Sequence, residues 1–456
     1  ALRPEALPRG GNVSIDLTVL GFTGVVALAA SVIFGTWPAL QGSRTRLADA
    51  LKDRGRTAEV GSQRGLRNGV IVAEVALSTI LLVGAGLMVR SFVELQRVEP
   101  GFDAEGVLSV SLPVPFARYP TSEDRAQLLD RMHERLSAVP GVETAAAIFP
   151  LPFKGVEFNG RWGLEEAESD PAAFRQARYV SVHPDYFDAA GTRFVEGRGF
   201  TDAEYADSAQ VVVIDETLAR IAFPDRSAVG ERILIRAITP EAVWMEVVGV
   251  VEAQRHTSLE DGRETVFYTD RYLGGLASSW LLRPGRDLDP MSLVPAVRAA
   301  AREVDPSIPL ADVRPFQAYV DDALAPTRFS LLLLTAFGAM AVALAAVGLY
   351  GVLAYVVGQR RAEIGVRMAF GAERGGILAM VLRQGLVLAG IGIVVGLFAA
   401  WGLGGVMESM LVGTEASDPF AFGGVALLFL FVSIAACTVP ALRASYVDPS
   451  VALREE

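Results

Sequence analysis

The chain has 456 residues, a net charge of −11, 51% hydrophobic residues and a single cysteine, Cys437. The acidity is local: residues 93–327 hold 38 acidic and 23 basic residues, so the remainder is net positive. An acidic water-exposed segment without a basic stripe excludes nucleic acid as a partner, and one cysteine excludes an intrachain disulfide.

Apolar residues are bunched into runs of bilayer length, since about 20 helical residues cover about 30 Å of hydrocarbon. The first run, residues 17–37, has no basic segment before it and no small-residue cleavage site after it, so it is not a secretory signal. Ala1 stands where a start methionine would, and the chain reads as part of something longer. The second run, residues 69–89, continues beyond Arg90 as an amphipathic helix with Phe92, Leu95 and Val98 on one side. It carries the one intramembrane ionisable residue, Glu74, near its cytoplasmic end. Snorkelling and a helix–helix contact both account for that carboxylate, and nothing resembles a midplane ion or substrate relay.

From about residue 100 to 325 the pattern becomes mixed α/β. Strands are predicted at 106–112, 142–149, 178–182, 211–215, 232–235, 243–251, 265–268, 278–283 and 308–313, and helices at 122–139 and 290–303. The expected architecture is an α/β base near the membrane, built from both ends of the segment, with a mostly β insertion between. The remaining runs are residues 329–357, 384–407 and 421–439. The run at 329–357 exceeds what a bilayer needs, so its extra turns tilt or project, and projection as a stalk is the more economical reading. Small residues crowd these spans, Gly348, Gly351 and the Gly392/Gly396 pair among them, which favours close helix packing.

Lys and Arg mark the cytoplasmic loops. Arg44, Arg46, Lys52, Arg54, Arg56, Arg64 and Arg67 follow the first run, and Arg360, Arg361, Arg367, Arg374 and Arg383 lie between the third long span and the next. The loop with Glu408, Glu415 and Asp418 has no basic residue. Residues 45–68, 358–383 and 443–456 are therefore expected inside, and residues 91–328 outside. An internal repeat explains why there are five runs. TWPALQGSRTRLADALKD (36–53) aligns with TVPALRASYVDPSVALRE (438–455) at an offset of 402, with proline and polar positions in register. Residues 1–56 then form the end of a preceding copy. The rest is one copy with four spans, divided at 57–99 (linker, first span and stalk), 100–325 (external domain) and 326–456 (the other three spans).

Catalytic motifs are lacking. His133, His183 and His256 are scattered, without an i, i+4 pair, so no metal site is assigned. The two lysines, Lys52 and Lys154, lie outside any phosphate-cradling loop, so nucleotide hydrolysis would belong to a partner. The docking element for such a partner is QRRAEIGVRMAFGAERGGI (359–377), with Ile364, Val366, Met368 and Phe370 as apolar contacts and Arg361, Glu363 and Arg367 as charges.

That stretch, with GLYGVLAYVV (348–357) and PALRASYVDPSVALRE (440–455), resembles the FtsX-type permease domain. NGVIVAEVALSTILLVGAGLMVRSF (68–92), VHPDYFDAAGTRFVEGRGF (182–200) and VVVIDETLARIAFPD (211–225) resemble the MacB-like permeases and their periplasmic core. The tandem arrangement is most similar to duplicated orphan permeases. The resemblance implies a helical membrane protein with a mixed α/β extracytoplasmic domain, in a bacterial inner membrane. It implies no enzyme activity or cofactor on this chain, and ATP use by a separate cytoplasmic ABC ATPase dimer. ATPase coupling would fall on Arg361, Glu363, Ile364, Gly365, Arg367 and Met368. The external domain would be driven by mechanotransmission to export an antimicrobial, lipid or lipoprotein. Further partners implied are membrane lipid, the preceding half or a second copy, and periplasmic adaptor proteins. A signalling receptor and an activator of cell-wall hydrolases share the fold and stay open.

Overall fold

The computed structural model describes residues 16–26, 28–29, 56–237, 241–259, 262–272, 274–286, 288–370, 372–407, 411 and 415–445. Most of the proposed preceding copy, and the repeat beyond residue 445, lie outside them. The helices are α1 (Leu17–Val26), α2 (Arg56–Gln96), α3 (Ser122–Ser137), α4 (Glu165–Ser169), α5 (Tyr186–Ala189), α6 (Asp202–Ala206), α7 (Glu216–Ala222), α8 (Val294–Val304), α9 (Gln317–Gln359), α10 (Arg361–Ala369), α11 (Arg374–Met407) and α12 (Pro419–Ser445). The strands are β1 (Leu108–Ser111), β2 (Val142–Phe149), β3 (Asn159–Gly163), β4 (Arg175–Val182), β5 (Phe194–Gly197), β6 (Val211–Asp215), β7 (Arg232–Arg236), β8 (Val243–Val251), β9 (Thr265–Thr269), β10 (Ser279–Pro284) and β11 (Ala311–Pro315). The chain divides into two compact units, Leu95–Pro326 and the remainder.

In the first unit the eleven strands among the described residues belong to one sheet, so the α/β base from both ends of the segment and the mostly β insertion expected between them are continuous. Strands β11, β1, β10 and β2 form an open antiparallel part. Strand β4 then pairs with β2 and β3 along one edge and with β9 along the other. Following β4–β3–β7–β8–β6–β9 returns to β4, so six strands close into a barrel with no free edge. Alternate residues from all six fill its interior: Trp162, Tyr179, Ile214, Ile233, Val247 and Val266. Helices α3 and α8 cover one face of the open part, where Leu128, Leu129, Met132 and Leu136 meet Val110, Ala147 and Trp280. Helix α3 begins sharply because Thr121 and Asp124 form a reciprocal capping box.

Two strands, β3 and β5, were not predicted. NGRWG is poor in β-formers, and β5 is a mostly exposed addition to β8. The last strand lies at Ala311–Pro315 rather than 308–313, because Ile308 is drawn into the core under α8.

Among the described residues, the second unit contains four helices long and apolar enough to cross a membrane: residues 68–96 of α2, then α9, α11 and α12. Each exceeds its apolar run. Helix α9 starts at Gln317, inside the segment assigned by sequence to the external domain, and passes through Pro326. The proline removes one backbone bond. Tyr319, Val320 and Leu324 nevertheless keep the preceding turns helical by burying a 3.6-residue stripe, and Asp322 pairs with Arg314 at 2.6 Å. At about 1.5 Å per residue, 41 residues of α2 and 43 of α9 each run about 60 Å.

Candidate functional site

Within the helical unit, α2 is the hub. Half of its apolar window is buried, against 33% for α11 and α12 and 11% for α9. Small residues on the other helices make the room. A Cβ at Gly392 would stand 2.7 Å from Val75 Cβ and 3.0 Å from the Val72 carbonyl oxygen. One at Gly396 would stand 2.6 Å from Thr79 Cβ and 2.7 Å from the Ala76 carbonyl oxygen. Gly348 receives the Glu74 carboxylate, whose Oε2 would lie 2.5 Å from an added Cβ, so this glutamate contacts α9. One turn along α2, Ser78 Oγ donates to the Ala341 carbonyl at 3.1 Å. Gly351 departs from the sequence reading: nothing lies within 4 Å of where its Cβ would be, so it makes no close approach. Gly385 was not singled out, yet a Cβ there would meet Cys437 Sγ and Leu353. At the other end of the bundle, Arg90 of α2 pairs with Asp418, whose carboxylate also accepts the Phe420 and Ala421 amides at 2.8 and 3.0 Å and caps α12.

Helix α10 is nine residues long and links α9 to α11. Its residues divide between two faces. Ile364 and Gly365 are buried and Met368 partly so, with Ile364 in the bundle core. Ile364 therefore has its apolar partners within the chain and is not a free contact, which corrects the reading from sequence. Glu363, Val366, Arg367 and Phe370 are exposed at i, i+3, i+4 and i+7, one stripe along the helix, with Phe370 89% exposed. Arg367 donates to Glu363 Oε1 at 2.7 Å, and Arg360 stands 3.8 Å from the other carboxylate oxygen. Arg361 opens the helix, and its side chain lies outside the described residues.

In the sheet unit the histidines do not stay scattered. His133 of α3 stacks on His183, just after β4, with ring centroids 3.8 Å apart. Asp185, at the start of α5, brings Oδ2 to 3.4 Å from His133 Nε2 and 3.7 Å from His183 Nδ1. Burial, with His133 alongside, pushes the His183 imidazole down to about 3, so it is neutral. Tyr205 of α6 lies against His183 and donates to Asp130 Oδ1 at 3.1 Å, and Arg271 holds the other Asp130 oxygen at 3.3 Å. Next to them, burial pushes the Asp270 carboxyl up to about 7. His256 is buried elsewhere, near Phe267.

Comparison with known proteins gives two family matches. The MacB-like periplasmic core domain matches residues 69–304, and the FtsX-like permease C-terminal domain matches residues 335–449. The macrolide export ATP-binding/permease protein MacB 1/2 of Paracoccus denitrificans is 31% identical over 322 residues, 67% of this chain and 44% of that protein. An "Uncharacterized ABC transporter permease YvrN" of Bacillus subtilis is 26% identical over 293 residues, 60% of this chain and 69% of that protein. The solved periplasmic region of MacB from Actinobacillus actinomycetemcomitans aligns with 49% of this chain and 95% of its own at 13% identity and a TM-score of 0.33. The chain spans less than half the length of the first curated relatives it matches.

Proposed function

Because the chain belongs to the MacB-like, FtsX-type family of ABC transporter permeases, we propose that it couples a separate cytoplasmic ATPase to its extracytoplasmic domain by mechanotransmission. The observation that carries this reading is α10: a short helix held between two membrane spans, with the stripe Glu363, Val366, Arg367 and Phe370 left exposed. Its inward residues Ile364, Gly365 and Met368 anchor it, so a push on the stripe moves the helices to which it is joined. Helices α2 and α9, each about twice as long as a bilayer needs, are suited to carry that movement outward. Gly348 against Glu74 joins α9 to α2, and Gly392 and Gly396 join α11 to α2.

In this proposal the protein sits in a bacterial inner membrane and catalyses no reaction itself. The internal similarity supports reading residues 1–56 as the end of a preceding copy. The proposed cargo is of antimicrobial, lipid or lipoprotein type, and the macrolide export named for the Paracoccus relative favours the first of these. The test is reconstitution with a co-purifying P-loop ATPase. Phe370→Asp and Arg367→Glu should abolish stimulation of its ATP turnover while nearly preserving the permease's melting temperature, because Phe370 is exposed and the Arg367–Glu363 pair lies at the surface. Unimpaired stimulation in both variants refutes the assignment. Failure to recover any ATPase would favour a receptor.

A further inference from the structure

We propose that His133, His183 and Asp185 form a binding site for a divalent transition-metal ion of the zinc class. One donor atom from each residue lies within 4.8 Å of the other two. In a tetrahedral site with metal–ligand distances of about 2.0–2.2 Å, neighbouring donors stand about 3.3–3.6 Å apart. Asp185 Oδ2 is 3.4 Å from His133 Nε2 and 3.7 Å from His183 Nδ1, close to that spacing before any ion is bound. Two imidazoles and one carboxylate are the donor set that zinc accepts, with the fourth position left to water.

The surroundings point the same way. Asp188 and Asp202 stand near enough to Asp185 to add negative charge around it. His183 Nδ1 is held only by a long bond from the Asp185 amide, 3.3 Å, which a metal replaces as the stacked rings open. The consequence is mechanical. His133 rides on α3, which covers the open sheet, whereas His183 directly follows the barrel strand β4. An ion shared between them would pin one part of the sheet unit to the other.

The experiment uses the full chain in detergent, carrying an affinity tag without histidine and stripped of metal. Titration with Zn²⁺ should show one saturable site per chain and a rise in melting temperature. Co²⁺ should give the visible absorption of a four-coordinate ion. His133→Gln and Asp185→Asn alter partly exposed side chains, so either should fold, and each should weaken Zn²⁺ binding about 100-fold or more and remove the Co²⁺ band. Absence of a saturable site in the parent protein, or unchanged affinity in both variants, overturns the proposal.

Discussion

Gly396 and Gly351 offer a paired test of how the helical unit is held together. Both are helical glycines, so alanine brings each the same gain in helix propensity, about 1 kcal/mol. They differ in what the added methyl meets. At Gly351 nothing stands within 4 Å. At Gly396 it meets Thr79 Cβ at 2.6 Å, the Ala76 carbonyl oxygen at 2.7 Å and Ala76 Cα at 3.1 Å. None of these atoms can rotate away, and ordinary contact begins at about 3.5 Å, so α2 and α11 must part by nearly an ångström. Overpacking of this kind costs about 1–3 kcal/mol. The propensity gain is common to both variants, so their difference in stability is the clash itself. For a unit of this size that difference is about 6 °C in melting temperature, taking about 3 °C per kcal/mol. Cys437, the single cysteine and fully buried in the bundle, supplies the reporter: a thiol-reactive dye labels it only as the bundle opens. Gly351→Ala should melt at or slightly above the parent, and Gly396→Ala clearly below it. If Gly396→Ala melts as high as Gly351→Ala, the close approach of α2 and α11 is not what holds the unit.

Asp270 has a folded-state pKa of about 7, above the ordinary carboxylate value, so folding favours its protonated form. The stability this gives is full below about pH 4 and is lost as pH rises through about 7. The loss is at most about 4 kcal/mol, from a shift of about three units. Asp270→Asn should therefore raise the melting temperature at pH 8 more than at pH 5, and an equal effect at both would refute the assignment. Some slope will remain, because burial also pushes Asp215 up to about 7. Asp418→Ala removes a helix cap and an ion pair together, and should lower the Cys437 labelling temperature by the equivalent of about 1–2 kcal/mol. Arg90→Gln should cost less in the same assay, since Arg90 is 39% exposed and the two amide bonds to Asp418 survive.

The four spans are legible in the sequence because lipid demands an unbroken apolar run. Their ends are not, because a helix continues wherever packing or solvent supports it: α11 begins at Arg374 and α9 at Gln317, each about ten residues ahead of its run. Most strands of the sheet unit show their alternation. Closure of the barrel does not show, because it depends on β4 using both edges, and no local pattern encodes an edge. The His133–His183 stack is hidden for the same reason. Fifty residues separate the two rings, and they meet through sheet register, where the His183 amide bonds to the Ala147 carbonyl on the strand that follows α3. Glycine spacing announces close packing without naming the partner, so Gly392 and Gly351 look alike in sequence although only the first touches another helix. The identity of those partners bears on the proposed mechanism. Helix α10 joins α9 at one end and α11 at the other, and both lean on α2, through Gly348 against Glu74 and Gly392 against Val75. A displacement of α10 would thus reach α2 from two sides at once, making α2, rather than the two spans joined to α10, the element whose movement integrates the stroke.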